Sequence, residues 1–136
     1  MAGVTVRITG TDFDDIVPEI QEALNTALAG TLNLQQGALS KANPKDTSRM
    51  AASWHIGQNS PDLSVAPENP SSPEPKAYSG KITFKGDWYI SNNLPYSTII
   101  ALNYSAAVMK AQKDWFTAIA NQTGNVFTKQ FKKVEP

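Results

Sequence analysis

No cysteine occurs among the 136 residues, which excludes both a disulfide framework and a thiolate metal site. Histidine is almost as scarce, His55 being the only one. No motif suggests a Ser-His-Asp or Cys-His unit, and a metal site would need carboxylates alone or His55 with carboxylates. No glycine-rich loop follows the Walker or the dinucleotide-binding pattern. Net charge is missing as well: twelve basic residues balance twelve acidic ones, where nucleic-acid-gripping domains usually carry a basic excess. Lys129, Lys132 and Lys133 are too few to change that expectation. There is no run of roughly 18 apolar residues to span a membrane, and Met1–Thr5 lacks the regions of a signal peptide. These absences predict a soluble single domain that is not an enzyme, with no cofactor, no metal and no membrane partner.

What is present is strong patterning. Val4, Val6 and Ile8 alternate with Thr5, Arg7 and Thr9, the period of a half-buried strand ending at Gly10. Thr11 or Asp12 then stands where a helix would be capped, with the true start as late as Val17 because of Pro18. Ile16, Ile20, Ala23, Leu24, Ala27, Leu28, Leu32 and Leu39 form one apolar stripe, predicting a helix over 13–40. At ~1.5 Å per residue it would be about 40 Å long, enough to project beyond a small core or lie along a neighbouring subunit. Gly30 and Gly37 weaken it. Asp12, Asp14, Asp15 and Glu19 resemble a metal cluster only in composition; their positions suit the positive end of a helix.

Beyond residue 40, Pro44 stops the helix and Asp46 or Thr47 can cap a short turn through Arg49–Ala52. Ser53, Trp54, His55 and Ile56 read as the strand that this turn feeds. Residues 58–80 contain five prolines and predict a long extended loop or arm, either a surface insertion or an element that orders on a partner. Ile82 and Phe84 alternate with Thr83 and Lys85, Gly86-Asp87 supplies a turn or bulge, and Trp88-Tyr89-Ile90 resumes as an aromatic strand. Asn92–Tyr96 is a turn in which Pro95 sets φ. Residues 97–104 fit either a strand or a helical turn. A second helix is expected over 105–122, with Trp115 and Phe116 on its apolar face and Thr123-Gly124 as its stop. Residues 125–136 form a tail that either continues the helix or hangs free. His55 reads as a structural or surface residue. Trp54, Trp88, Tyr89, Trp115 and Phe116 suit core packing better than a stacking platform.

Pro44-Lys45-Asp46-Thr47-Ser48-Arg49-Met50-Ala51-Ala52-Ser53-Trp54 resembles the P-x-D-T-G-x-L-x-x-S-W signature of tailed-phage neck proteins, the tail-completion or head–tail joining family often described as minor tail proteins. Trp88–Tyr96 is similar to the family's x-x-I-x-N-x-x-P-Y-A segment, Ile100–Tyr104 lies where an I-E-x-G run is usual, and Val108-Met109 stands like G-M-V. Block order and spacing agree across 44–122. Ser48 departs from the family's glycine, and Ser105-Ala106-Ala107 replaces a Q-A-P approach to the last helix.

The resemblance implies an α+β subunit: a small twisted, mainly antiparallel sheet flanked by a long N-terminal and a C-terminal helix, with 58–80 as a Pro-rich arm and 125–136 as a tail. It implies a homo-oligomeric, hexameric ring at the virion neck, assembled in the host cytoplasm. Its partners would be a head-completion or connector protein and a tail tube or tail terminator protein, with DNA only passing through the lumen. Pro44, Asp46, Thr47, Ser53, Trp54, Asn92, Pro95 and Tyr96 would form the structural or interface motif. The arm would dock on a neighbour and be disordered before assembly. The alternative from the residues themselves is a monomeric, non-catalytic binding module, with Trp54, Trp88 and Trp115 as a ligand platform and the arm as a recruiter.

Overall fold

A computed structural model of the chain describes residues 3–9, 18–43, 48–97, 101 and 115–136. Its elements are β1 (Val4–Thr9), α1 (Pro18–Ala42), a short 3-10 turn (Ala51–Ser53), β2 (His55–Gln58), β3 (Asp87–Asn92), α2 (Trp115–Asn121) and α3 (Thr123–Val134). The fold is α+β, a three-stranded antiparallel sheet of order β1-β3-β2 with an N-terminal and a C-terminal helical layer.

Register follows from burial. Val4, Val6 and Ile8 stand opposite Asn92, Ile90 and Trp88, and Ile56 stands opposite Ile90 from the other side. These residues face the helices, so a one-residue slip would turn the apolar row to solvent. On the outer face Arg7 lies across from Tyr89, its guanidinium 5.7 Å from the ring centre, and donates to the Asp87 carboxylate at the strand's end. That ion pair is exposed and worth little by itself.

Helix α1 is 25 residues, about 37 Å at ~1.5 Å per residue. It buries Ala23, Ala27, Leu28, Leu32 and Leu39, as the stripe predicted, but it does not project: α2 and α3 pack along it. Ile20 and Leu34 stay exposed. The start expected before Pro18, with Ile16 and the carboxylates Asp12, Asp14 and Asp15, lies outside the described residues; Glu19 sits exposed in the first turn.

The second helix differs from its expected form. The described part begins at Trp115, breaks at Gln122, and resumes as α3, so Gly124 lies inside a helix and 125–134 is not a free tail. The break is stabilised from α1. The Gln35 side-chain amide donates to the Ile119 carbonyl (2.7 Å) and the Thr123 hydroxyl (2.8 Å), and that hydroxyl donates to the Ala120 carbonyl. The Ile119 carbonyl, which also accepts Gln122 N–H at 3.0 Å, and the Ala120 carbonyl thus receive side-chain donors where the helix ends.

Two strand expectations need correction. Residues 81–85 are not a strand: Ile82 and Phe84 alternate toward the core from an extended segment, and Phe84 meets Phe127 of α3 at 5.4 Å. Ser53 belongs to the 3-10 turn, and regular pairing starts at His55. Residues 98–100 and 102–114, which include most of 97–104, lie outside the described residues.

Candidate functional site

Two turns meet at the C-terminal end of α1. The first runs from Ser48 to Trp54, tightened by Ala52 N–H to the Ser48 carbonyl and Ser53 N–H to the Met50 carbonyl, both 3.0 Å. Ser48 enters it with φ of 62°, in the left-handed region that glycine occupies at no steric penalty. Trp54 is fully buried. Its indole N–H donates to Asn43 Oδ1 at 2.9 Å, its ring stacks on Phe116 at 5.8 Å, and its edge meets Trp115 at 6.1 Å. One side chain therefore ties the end of α1, the start of β2 and the first turn of α2.

The second turn is Leu94-Pro95-Tyr96-Ser97, closed by Ser97 N–H to the Leu94 carbonyl at 3.0 Å, with proline at the position where its fixed φ suits a tight turn. The buried Ser97 hydroxyl lies 2.9 Å from the Asn92 carbonyl and 2.8 Å from that of Leu94. Asn92, also fully buried, joins the two turns: its amide donates to the Met50 carbonyl at 2.7 Å, and its Oδ1 accepts Leu94 N–H.

Residues 59–86 leave the sheet after β2 and return to it at β3. At their feet, Asn59 (φ 63°) and Gly86 (φ 77°) take left-handed conformations, and Asn59 N–H donates to the Asp87 carbonyl at 2.7 Å. The excursion is a strap laid on its own domain. Ala66 N–H donates to Ser53 Oγ and its carbonyl accepts from Arg49 Nε. Ser91 holds the Asp62 carbonyl, Ser40 that of Pro73, and Gln36 that of Lys76, while Asn25 receives Phe84 N–H. Gly57 is required where the strap crosses, because a Cβ there would run into the backbone of Ser60 and Asp62. Side chains of α1, the first turn and β3 thus hold the strap by its backbone.

Between the strap's two limbs lies a cleft of about 510 Å³, with His55, Asp62, Glu74 and Lys76 on its walls. Burial alone would raise the Asp62 carboxyl. Hydrogen bonds from Ser64, with the nearby positive groups of His55 and Lys76, outweigh it and hold the carboxyl below its ordinary value. His55 Nδ1 lies 3.0 Å from the Ser53 carbonyl, a local structural contact. Among the described residues no three His, Cys, Asp or Glu side chains are arranged to hold a metal.

Of the predicted motif residues, Ser53, Trp54 and Asn92 come together in the buried junction. Pro95 and Tyr96 lie exposed on the second turn, and Pro44, Asp46 and Thr47 are outside the described residues. Trp54 and Trp88 have no exposed surface and Trp115 only 7%, so they cannot form the ligand platform of the alternative reading. The polar anchors Gln36, Ser40, Asn43 and Ser97 escaped the sequence reading. One signal existed: Gln36 and Ser40 continue, at intervals of four, the row of Leu28 and Leu32. No family model, no curated protein and no solved structure matches the chain.

Proposed function

We propose that this protein is a structural assembly subunit rather than an enzyme. More particularly, it is a tail-completion or neck subunit of a tailed phage, acting in a hexameric ring between the head connector and the tail. The observation that carries this reading is the meeting of the two sequence blocks that resemble that family. The blocks lie far apart in the chain, and Asn92 of the second donates a buried hydrogen bond to Met50 of the first. A signature whose members join turns through buried hydrogen bonds and ring stacking serves geometry, setting how the long helix meets the sheet. Ser48 adds support, because the position at which the family carries glycine has a positive φ here.

Native mass measurement of the purified protein and protein quantification of purified virions test the proposal. The expected results are a ring-sized oligomer, alone or on addition of the connector, and a fixed copy number per particle. A protein that stays monomeric with connector present and is missing from particles would overturn it.

A further inference from the structure

The outer edge of β2 has an incomplete ladder. Asn59 N–H donates to the Asp87 carbonyl, and the β2–β3 register pairs Gly57 with Tyr89 and His55 with Ser91. In an antiparallel pair, hydrogen-bonded residues alternate with residues whose main-chain groups point the other way. Gly57 and His55 therefore bond to β3, while Trp54, Ile56 and Gln58 aim their N–H and C=O groups away from it. At Trp54 that outward carbonyl has a partner: Gln36 Nε2 donates to it at 2.9 Å and to the Lys76 carbonyl of the strap at 3.1 Å. The glutamine amide stands in for a rung between two extended chains.

The next outward residue, Ile56, has no such partner among the described residues. Its flank opens into a gap of about 190 Å³ bounded by His55, Ile56, Asp62 and the strap residues Lys76, Ala77, Tyr78 and Ser79. Lys76 shares the Gln36 amide with Trp54, and Tyr78 meets Trp88, the register partner of Gln58, edge-on at 5.4 Å, so the limb follows the direction of β2. No backbone hydrogen bond links the limb to β2 among the described residues. An edge strand with a free donor and acceptor, flanked by an extended segment already held at its start, is set up to gain a strand.

We infer that the strap limb 76–79 closes reversibly onto β2 as a fourth, parallel strand, pairing across Ile56 and covering the edge against association with other chains. Gln36 is the hinge-side rung from which the closure runs. In the open position the edge is available; in the closed position it is not.

The cysteine-free chain makes the test direct, because an introduced pair supplies the only thiols. His55→Cys with Ala77→Cys places two thiols opposite each other in the closed ladder, within the Cα separation that a disulfide accepts. His55→Cys with Ser79→Cys is the out-of-register control. Under copper–phenanthroline, the first pair is expected to oxidise at least about tenfold faster than the control, in protein whose near-ultraviolet tryptophan signal is native. In the oxidised form the Ile56 amide is expected to exchange at least about tenfold more slowly than in the reduced form. Equal oxidation rates would show undirected strap motion and overturn the closure, as would unchanged exchange at Ile56 after crosslinking. Unmodified protein decides the matter if the pairs misfold: an Ile56 amide exchanging at its intrinsic chain rate would equally overturn it.

Discussion

At the junction around Trp54 the domain is joined by the shapes of side chains; along the strap it is joined by side chains gripping backbone. Trp54 is fixed by Phe116, Trp115 and Asn43, so replacing it changes every contact at once. The strap's own residues contribute mostly carbonyls, those of Asp62, Ala66, Pro73 and Lys76, to anchors that belong to the body. A carbonyl is the same whatever side chain it carries. At those four positions the strap can therefore vary in sequence while its path is kept, unlike at Tyr78, Ile82 and Phe84, whose side chains pack on the core, and destabilising changes should concentrate at Trp54 and at the anchors.

The sharpest test of this contrast is Trp54→Ala. It should cost about 3–5 kcal/mol in denaturant unfolding, the range for removing a fully buried large aromatic. A near-neutral result would mean that the junction is not the centre of stability. Gln36→Leu comes next. It leaves the Trp54 and Lys76 carbonyls without their donor and should cost about 1–3 kcal/mol, whereas Lys76→Ala should be nearly silent because the carbonyl is kept and the exposed side chain adds only a weak charge near Asp62. If both variants unfold at the same denaturant concentration, backbone gripping is not what holds the strap.

Ser48→Gly should act in the opposite direction, raising stability by about 1 kcal/mol by relieving a left-handed conformation at a non-glycine residue. A loss measured by thermal unfolding would indicate that the serine side chain outweighs the strain. Gly37→Ala is a smaller probe, removed from both regions. Nothing lies within 4 Å of a Cβ built there, so the helix should gain about 0.5–1 kcal/mol. The smallest effect expected is acidic. Asp62 titrates in the folded protein below its unfolded value of about 3.9. Its contribution is present above that value and disappears as pH falls through the folded one. Acid-unfolding curves of the parent and of Asp62→Asn should therefore converge below about pH 4. Curves that stay parallel to the lowest pH would remove Asp62 from the strap's support.

Much of the fold was legible because its causes are local. The alternation of Val4, Val6 and Ile8 made β1, the Leu28–Leu32–Leu39 stripe made α1, and Pro95 marked the turn that the structure closes on Ser97. Misreadings arose where distant parts intervene. Ile82 and Phe84 have a strand's period but no ladder, because Asn25 and Phe127 claim that segment first. Gly124 reads as a stop, yet α3 runs through it because the break at Gln122 is stabilised by Gln35 from another helix. Within the motif, Trp54 and Asn92 could be named from sequence, but not their connection through Met50.

By itself, then, the sequence determined the periodic elements, the tight turns and the lack of cysteine chemistry, all of which depend on residues within a few positions of one another. Tertiary structure alone decided that a proline-rich stretch becomes a strap and that Gln35, Gln36 and Ser40 are anchors. A buried carbonyl must find a donor wherever the fold brings one near, and nothing in a linear pattern records which donor that is.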